Sequence, residues 1–272
     1  MIVDAHHHLW DPARRDYPWM AGSSLAPIRR RYTLHDLRLT IGPSVTATIL
    51  VQTISSMQET AEFLATAAAS EGLIAGVVGW FDLTAPAELD RLLTIQGGHL
   101  LVGIRHQVED EPDPSWLLRP EILTGLRAIA AAGLPYDLLV RAPQRPAALA
   151  VAQQLPELSF VLDHAGKPAI AAGEWDPWAS WITDLAALPN VTCKLSGLTT
   201  EADWNTWSTP DIRPYTDHIL NSFGPARVMF GSDWPVCELA GTYTDVLSLA
   251  QTLLPAECLA DTAMRTYGLM TS

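Results

Sequence analysis

Eight short apolar runs, each closing on a polar or charged residue, constrain this chain more than any other feature. They span Ile2–His8, Ala47–Thr53, Ile74–Asp82, Leu101–His106, Pro135–Arg141, Ser159–His164, Val191–Lys194 and Arg227–Asp233. Short runs rich in Val, Ile, Leu and Phe have the pattern of strands buried on both faces. Segments with helix signals separate them: Ser56–Glu71, Pro86–Leu93, Pro120–Ala132, Pro143–Leu155, Pro177–Leu188, Pro210–Phe223, Thr242–Leu254 and Ala256–Tyr267. Ser56 and Glu59 have capping-box spacing, and Gly72, Gly133 and Gly224 stand at helix stops. Eight strand–helix units predict a parallel sheet closed into an α/β (β/α)8, or TIM, barrel, in one domain over residues 1–272. An open doubly wound sheet is the alternative, but the glycine-rich GxGxxG loop that often marks such sheets is missing from the sequence. The first connection, Asp11–Gly42, is rich in Pro, Arg and aromatics. Only Leu34–Thr40 in it reads as helix, and the rest is expected to lie as a loop over one end of the barrel.

The hydrophobic content of 48% over 272 residues is enough to fill such a core. A formal net charge of −13 argues against a nucleic-acid partner, because phosphate binding needs clustered Lys and Arg. The three cysteines, Cys193, Cys237 and Cys258, are far apart and odd in number, so no disulfide framework follows and a reducing compartment fits. The N-terminus lacks the basic start and apolar run of a signal peptide, and no apolar stretch reaches membrane-spanning length. The cytoplasm is the expected location. The oligomeric state is left open, a homo-oligomer included.

In a (β/α)8 barrel the C-terminal strand ends meet on one face, which carries the active site. The residues closing the runs are His6 and His8, Asp82, His106, Arg141, His164, Lys194 and Asp233. Strand alternation puts His6 and His8 on one face and His7 against the helices. Two imidazoles at i and i+2 can hold one divalent cation. Asp82 reads equally well as a helix N-cap. Arg141 reads as a substrate contact or as a partner for strand-end carbonyls and nearby acids. Asp163 precedes His164, so it is expected to face away and anchor a turn. Alternation also separates Arg105 from His106, yet both stay as candidates because strand ends twist. Trp80, Trp234 and Trp10 lie near strand ends and are expected to wall a pocket. Trp175, Trp178 and Trp181 read as a helix packing face, and His35, His99 and His218 as surface or packing residues.

Five segments together carry a resemblance. Asp4-Ala5-His6-His7-His8-Leu9-Trp10, Gly103-Ile104-Arg105-His106, Asp163-His164-Ala165-Gly166-Lys167-Pro168, Cys193-Lys194-Leu195-Ser196-Gly197 and Gly231-Ser232-Asp233-Trp234-Pro235 are similar to motifs of the amidohydrolase superfamily. Within it they resemble the amidohydrolase-2 branch that holds sugar lactonases and pyrone-dicarboxylate lactonase. The resemblance runs from the first strand to the last. It implies a hydrolase that opens a lactone, a sugar-acid lactone in the first instance. His6 and His8 match the HxH pair, His164 a later strand-end histidine, and Asp233 the aspartate that activates water. His164 and His106 are then further catalytic candidates, and Arg105, Lys194, Trp80 and Trp234 the candidates for holding substrate. His6, His8 and Asp233 are the metal candidates, for one divalent ion with zinc first; metal-free enzymes in the branch are the alternative. Many superfamily members carry a metal-bridging lysine at strand four, but here that strand ends in Arg105-His106 and Lys194 lies on strand seven. A bridged two-metal site is therefore not expected. The rival readings are a zinc-dependent decarboxylase of an aromatic acid, from the same branch, and a barrel that only binds.

Overall fold

The computed structural model of the protein describes residues 1–269. The strands are β1 Ile2–His7, β2 Val45–Val51, β3 Ile74–Gly79, β4 Leu101–His106, β5 Tyr136–Leu138, β6 Phe160–Leu162, β7 Val191–Leu195 and β8 Val228–Phe230. They form one eight-stranded sheet in sequence order, every neighbouring pair parallel. The seam between β8 and β1 closes just beyond β8. Asp233 N–H donates to His6 O at 2.8 Å, and His8 N–H donates to Trp234 O at 2.7 Å. The expected TIM barrel is the fold.

The helices are α1 Leu34–Thr40, α2 Met57–Ala68, α3 Ala87–Thr94, α4 Pro120–Ala131, α5 Arg145–Gln154, α6 Trp178–Ala186, α7 Leu198–Glu201, α8 Thr209–Phe223, α9 Tyr243–Leu253 and α10 Asp261–Thr266. The short α7 was not expected. It follows Gly197, whose backbone is left-handed at φ 64°. Ser56 does cap α2, accepting from Glu59 N–H at 3.2 Å. Glu59 does not return the bond to Ser56. Its carboxylate turns to the Thr53 and Ile54 N–H groups, which ties the end of β2 to α2.

Two apolar layers follow from strand alternation. Outward side chains such as Leu50, Val77, Ile104, Tyr136, Phe160 and Phe230 pack under the helices. Inward ones, among them Val3, Ala5, Ile49, Val51, Val78, Val161 and Met229, fill the barrel floor, and Tyr267 beyond α10 packs against them. The C-terminal segment thus plugs one end of the barrel and leaves the other open for a site. At the open end, the first connection contributes Trp19 and Leu25 to the wall of a cavity, as a covering loop should.

Three strands, β5, β6 and β8, are only three residues long and end short of the polar residues that close their runs. Arg141, His164 and Asp233 therefore stand in the turns that follow. His164 and Asp233 have left-handed backbones, at φ 53° and 56°. A non-glycine residue there is costly and persists only where the surroundings fix it.

Candidate active site

The open end holds a cavity of about 290 Å³ whose floor carries His8, Arg105, His164 and Asp233. His6 lies directly beneath. Val3 and Ala5 already point inward, so strict alternation would send His6 outward. A register irregularity between Asp4 and His7 changes the phase by one, and His6 turns inward while His7 packs outward against Thr48 at 3.0 Å. His8 then points inward too.

Asp233 is aimed by Asp4 at the start of the chain. Asp4 accepts from Ser232 N–H at 2.8 Å, Ser232 O–H at 2.6 Å and Tyr243 O–H at 3.1 Å. Burial raises the Asp4 pKa to about 6 against these bonds. Gly197 supplies the space. A side chain there would meet His164 Nδ1 at 2.7 Å and Asp233 Oδ2 at 3.2 Å, so only glycine permits both groups. His164 Nδ1 lies 2.9 Å from Ser196 Oγ, and its ring is 4.5 Å from that of His6. Asp4, Ser196 and Gly197 are working parts of this site that the sequence reading did not single out.

The histidines are kept neutral. Burial lowers the pKa of His8 to about 3 and of His164 to about 4, and takes His6 well below its usual range. Burial also raises the Asp233 pKa, opposed by His164, Lys167 and Arg105. A carboxylate moved up toward neutrality beside neutral imidazoles is the pattern of a general base.

His6, His8 and Asp233 present donor atoms that can share one ion. His6 Nε2 and His8 Nε2 are 3.2 Å apart, and Asp233 Oδ1 is 3.8 and 3.5 Å from them. Two nitrogens on a tetrahedral zinc sit about 3.3 Å apart, so the donor set fits such an ion. His8 Nδ1 faces the Val51 carbonyl at 2.8 Å. That carbonyl can only accept, so Nδ1 holds the proton and Nε2 is left with its lone pair.

Below the histidines lies a sealed ionic layer. Lys194 is fully buried, with Nζ 2.5 Å from Asp137 Oδ2, 3.1 Å from Asp163 Oδ1 and 3.3 Å from His6 Nδ1. Arg105 donates to Asp163 at 3.0 Å and to Gln52 Oε1 at 3.2 Å. Burial works to raise the Asp163 pKa, but Lys194, His6 and Arg105 outweigh it and hold the pKa well below the usual range. Asp163 Oδ1 is within ion-pair distance of Lys194 yet has no hydrogen bond of good geometry. It is held by charge rather than by direction.

Several expected positions change. Asp163 faces the barrel interior, not away from it. The left-handed turn at His164 and Ala165 breaks alternation, so Asp163 and His164 both point inward. Lys194 does not reach the cavity because Asp137 and Asp163 hold it below the floor. His106 points away from the cluster, as alternation from Arg105 requires. It accepts from Trp80 N–H at 2.9 Å, donates to Glu111 at 2.7 Å and stacks on Trp116 at 4.3 Å. Trp80 is occupied by that contact. Trp234 is buried behind the Asp233 turn, donating to Glu238 at 2.8 Å. Neither tryptophan lines the cavity. The structure therefore brings His6, His8, His164, Arg105 and Asp233 together, and leaves His106, Lys194, Trp80 and Trp234 outside the cavity.

The family model described as amidohydrolase matches residues 3–269. The chain belongs to the amidohydrolase family. This amidohydrolase is 40% identical over 262 residues to an L-fucono-1,5-lactonase of Burkholderia multivorans, covering 92% of this chain and 87% of that one. It is 37% identical to an L-fucono-1,5-lactonase of Burkholderia ambifaria, covering 89% of this chain and 83% of that protein. The crystal structure of an amidohydrolase from Burkholderia multivorans with bound zinc matches it at a TM-score of 0.89 and 39% identity, over 99% of this chain and 100% of that one. The resemblance carried by the five segments is borne out.

Proposed function

We propose that this amidohydrolase hydrolyses a sugar-acid lactone, with L-fucono-1,5-lactone the first substrate to try. The observation that carries the reading is the convergence of Asp233, its pKa raised by burial, with neutral His8 and His164 and with Arg105 on one cavity floor. The two fuconolactonase relatives support the choice of substrate.

In the proposed reaction the Asp233 carboxylate takes a proton from water as the water oxygen attacks the lactone carbonyl carbon. His164 and Arg105 hold the carbonyl oxygen as charge builds on it. With Ser196 O–H donating to Nδ1, the remaining His164 proton sits on Nε2 and is free for that bond. The ring C–O bond then breaks, and the proton on Asp233 passes to the departing alkoxide. The product is an open-chain hydroxy acid. His6, His8 and Asp233 would hold a zinc ion, which supplies Lewis-acid polarisation of the carbonyl when bound. One ion at most is proposed, because Arg105 occupies the strand-four position where a bridging lysine would stand. A single domain acting in the cytoplasm completes the proposal. All three cysteines are free and buried, and no helix among the described residues is long and apolar enough to cross a membrane.

The test is a panel of aldonolactones assayed by acid release, with elemental analysis of the same preparation. Turnover of at least one sugar lactone, with no more than one zinc per chain, is expected. Absence of turnover on every lactone, or two tightly held metals, would overturn the reading.

A further inference from the structure

Every cation lining the cavity already has a carboxylate partner. Arg105 is paired with Asp163 at 3.0 Å. Lys167 Nζ lies 2.7 and 3.0 Å from the two oxygens of Glu109. Arg141 reaches Glu109 at 2.9 Å and Glu201 at 3.5 Å, and Lys167 lies 4.0 Å from Glu201. Lys167, Glu109 and Glu201 are sheltered, their side chains 13–15% exposed, whereas Arg141 is half exposed at the mouth. Burial pushes the Glu109 pKa up, but Lys167 and Arg141 outweigh it and leave the carboxyl below its usual range, so it is ionised at neutral pH. Within the rim, Lys167 and Arg141 stand against Glu109, Asp110 and Glu201, an excess of one negative charge.

A ligand carboxylate entering this cavity finds no unpaired cation. To pass the rim it must displace Glu109 or Glu201 from Lys167 and Arg141, or lie against their carboxylates at the cost of like-charge repulsion. An uncharged polyol meets no such barrier. Its hydroxyls can donate to the carboxylate oxygens of Glu109 and Glu201 and accept from the remaining N–H groups of Lys167 and Arg141.

We propose that Glu109, Glu201, Lys167 and Arg141 form a charge filter that admits uncharged polyhydroxylated lactones, excludes ligands bearing a carboxylate, and expels the acid product. The substrate class rests on the lactonase reading, but the filter itself does not. Ring opening converts a neutral lactone into a carboxylate, which meets surplus negative charge and no free cation at the rim, so the rim favours release.

Two measurements test the filter on the wild type and on Glu109→Gln and Glu201→Gln. The first is kcat/KM for an aldonolactone against the lactone of the matching aldaric acid, which adds one carboxylate. The second is the affinity, by calorimetry, of a free aldose against its uronate. The wild type should favour the neutral member by at least about tenfold in both. Glu109→Gln, which removes the closest partner of both cations, should narrow the ratio by about tenfold, and Glu201→Gln, which leaves both paired with Glu109, by about threefold; both should strengthen inhibition by the aldonate product. Glu201→Gln guards against misfolding at the more deeply tied Glu109, and melting temperatures are recorded for both variants. A wild type that binds aldose and uronate equally, or folded variants with unchanged ratios, would overturn the filter. If no lactone is turned over while the aldose still outcompetes the uronate, the lactonase reading fails and the filter stands.

Discussion

Two ionic clusters built from the same chemistry lie in the barrel, one sealed and one open. In the sealed layer, Lys194, Asp137 and Asp163 are fully buried, and Tyr267 O–H donates to Asp137 at 2.8 Å from beyond α10. In the open rim, Glu109, Lys167, Glu201 and Arg141 face the cavity and reach solvent at Arg141. Removing one partner from a buried set strands a charge in a medium that cannot solvate it. The same change at a partly wet rim is answered by water and by the neighbouring ions. The sealed layer therefore governs whether the barrel stands, and the rim governs what enters it.

Lys194→Met should show the difference most strongly. It leaves Asp137 and Asp163 without their shared cation, and the expected loss is about 3–5 kcal/mol in a denaturation experiment. A loss below about 1 kcal/mol would mean the sealed layer is no more critical than a surface pair.

Acid should act next, and through the interior. His7 and His8 with pKa about 3, His164 about 4, and His6 well below its usual range stay neutral in the fold. The unfolded chain takes up protons at these imidazoles below about pH 6.5, so stability present above that pH is lost as pH falls. Asp4 and Asp137, both raised to about 6, act in the opposite sense, because the folded chain protonates them first. Asp233, Glu59 and Asp110, also raised, act with them, and His106, lowered, acts with the other imidazoles. The imidazoles begin to cost stability at about pH 6.5, while each raised carboxyl gives it back only below its own raised pKa, so the denaturation midpoint should fall between about pH 7 and 5. Glu109, held low, contributes nothing there, since its stability is lost only below the normal carboxylate range. A midpoint that is flat or rises from pH 7 to 5 would break this assignment.

The smallest effect belongs to the rim. Glu201→Gln should cost under about 1 kcal/mol of stability. A large drop in melting temperature would show that the rim also braces the barrel, and would remove the contrast between the clusters.

The barrel was legible because strand length, apolar content and helix stops recur eight times, and tertiary packing follows that repeat. His6 and His8 were legible as a pair, although the pair sits inward only through a register irregularity that no periodicity announces. What failed were statements about direction at strand ends. Asp163 was placed outside because the left-handed turn at His164 leaves no trace in the residue types. Lys194 was read as a substrate contact because a strand-end lysine looks the same whether it reaches the cavity or is drawn down by Asp137. For Arg105 and His106 the plain alternation rule was the better guide, and it sends His106 to Glu111 and Trp116. The Glu109–Lys167–Glu201 rim was missed altogether. Its members come from the segments after β4 and β6 and from the end of the short α7, with no period to link them, and only the closed fold makes them neighbours.

The most direct test of the central claim is Asp233→Asn, with melting temperature and kcat/KM on L-fucono-1,5-lactone measured on one preparation. Asn keeps the size and an acceptor but cannot take a proton from water. With Asp233 as the base, activity should fall by about 100- to 10,000-fold while the fold is retained. A mutant that melts earlier yet turns over lactone at nearly the wild-type rate would contradict the account, and would leave Asp233 as a brace for the turn alone.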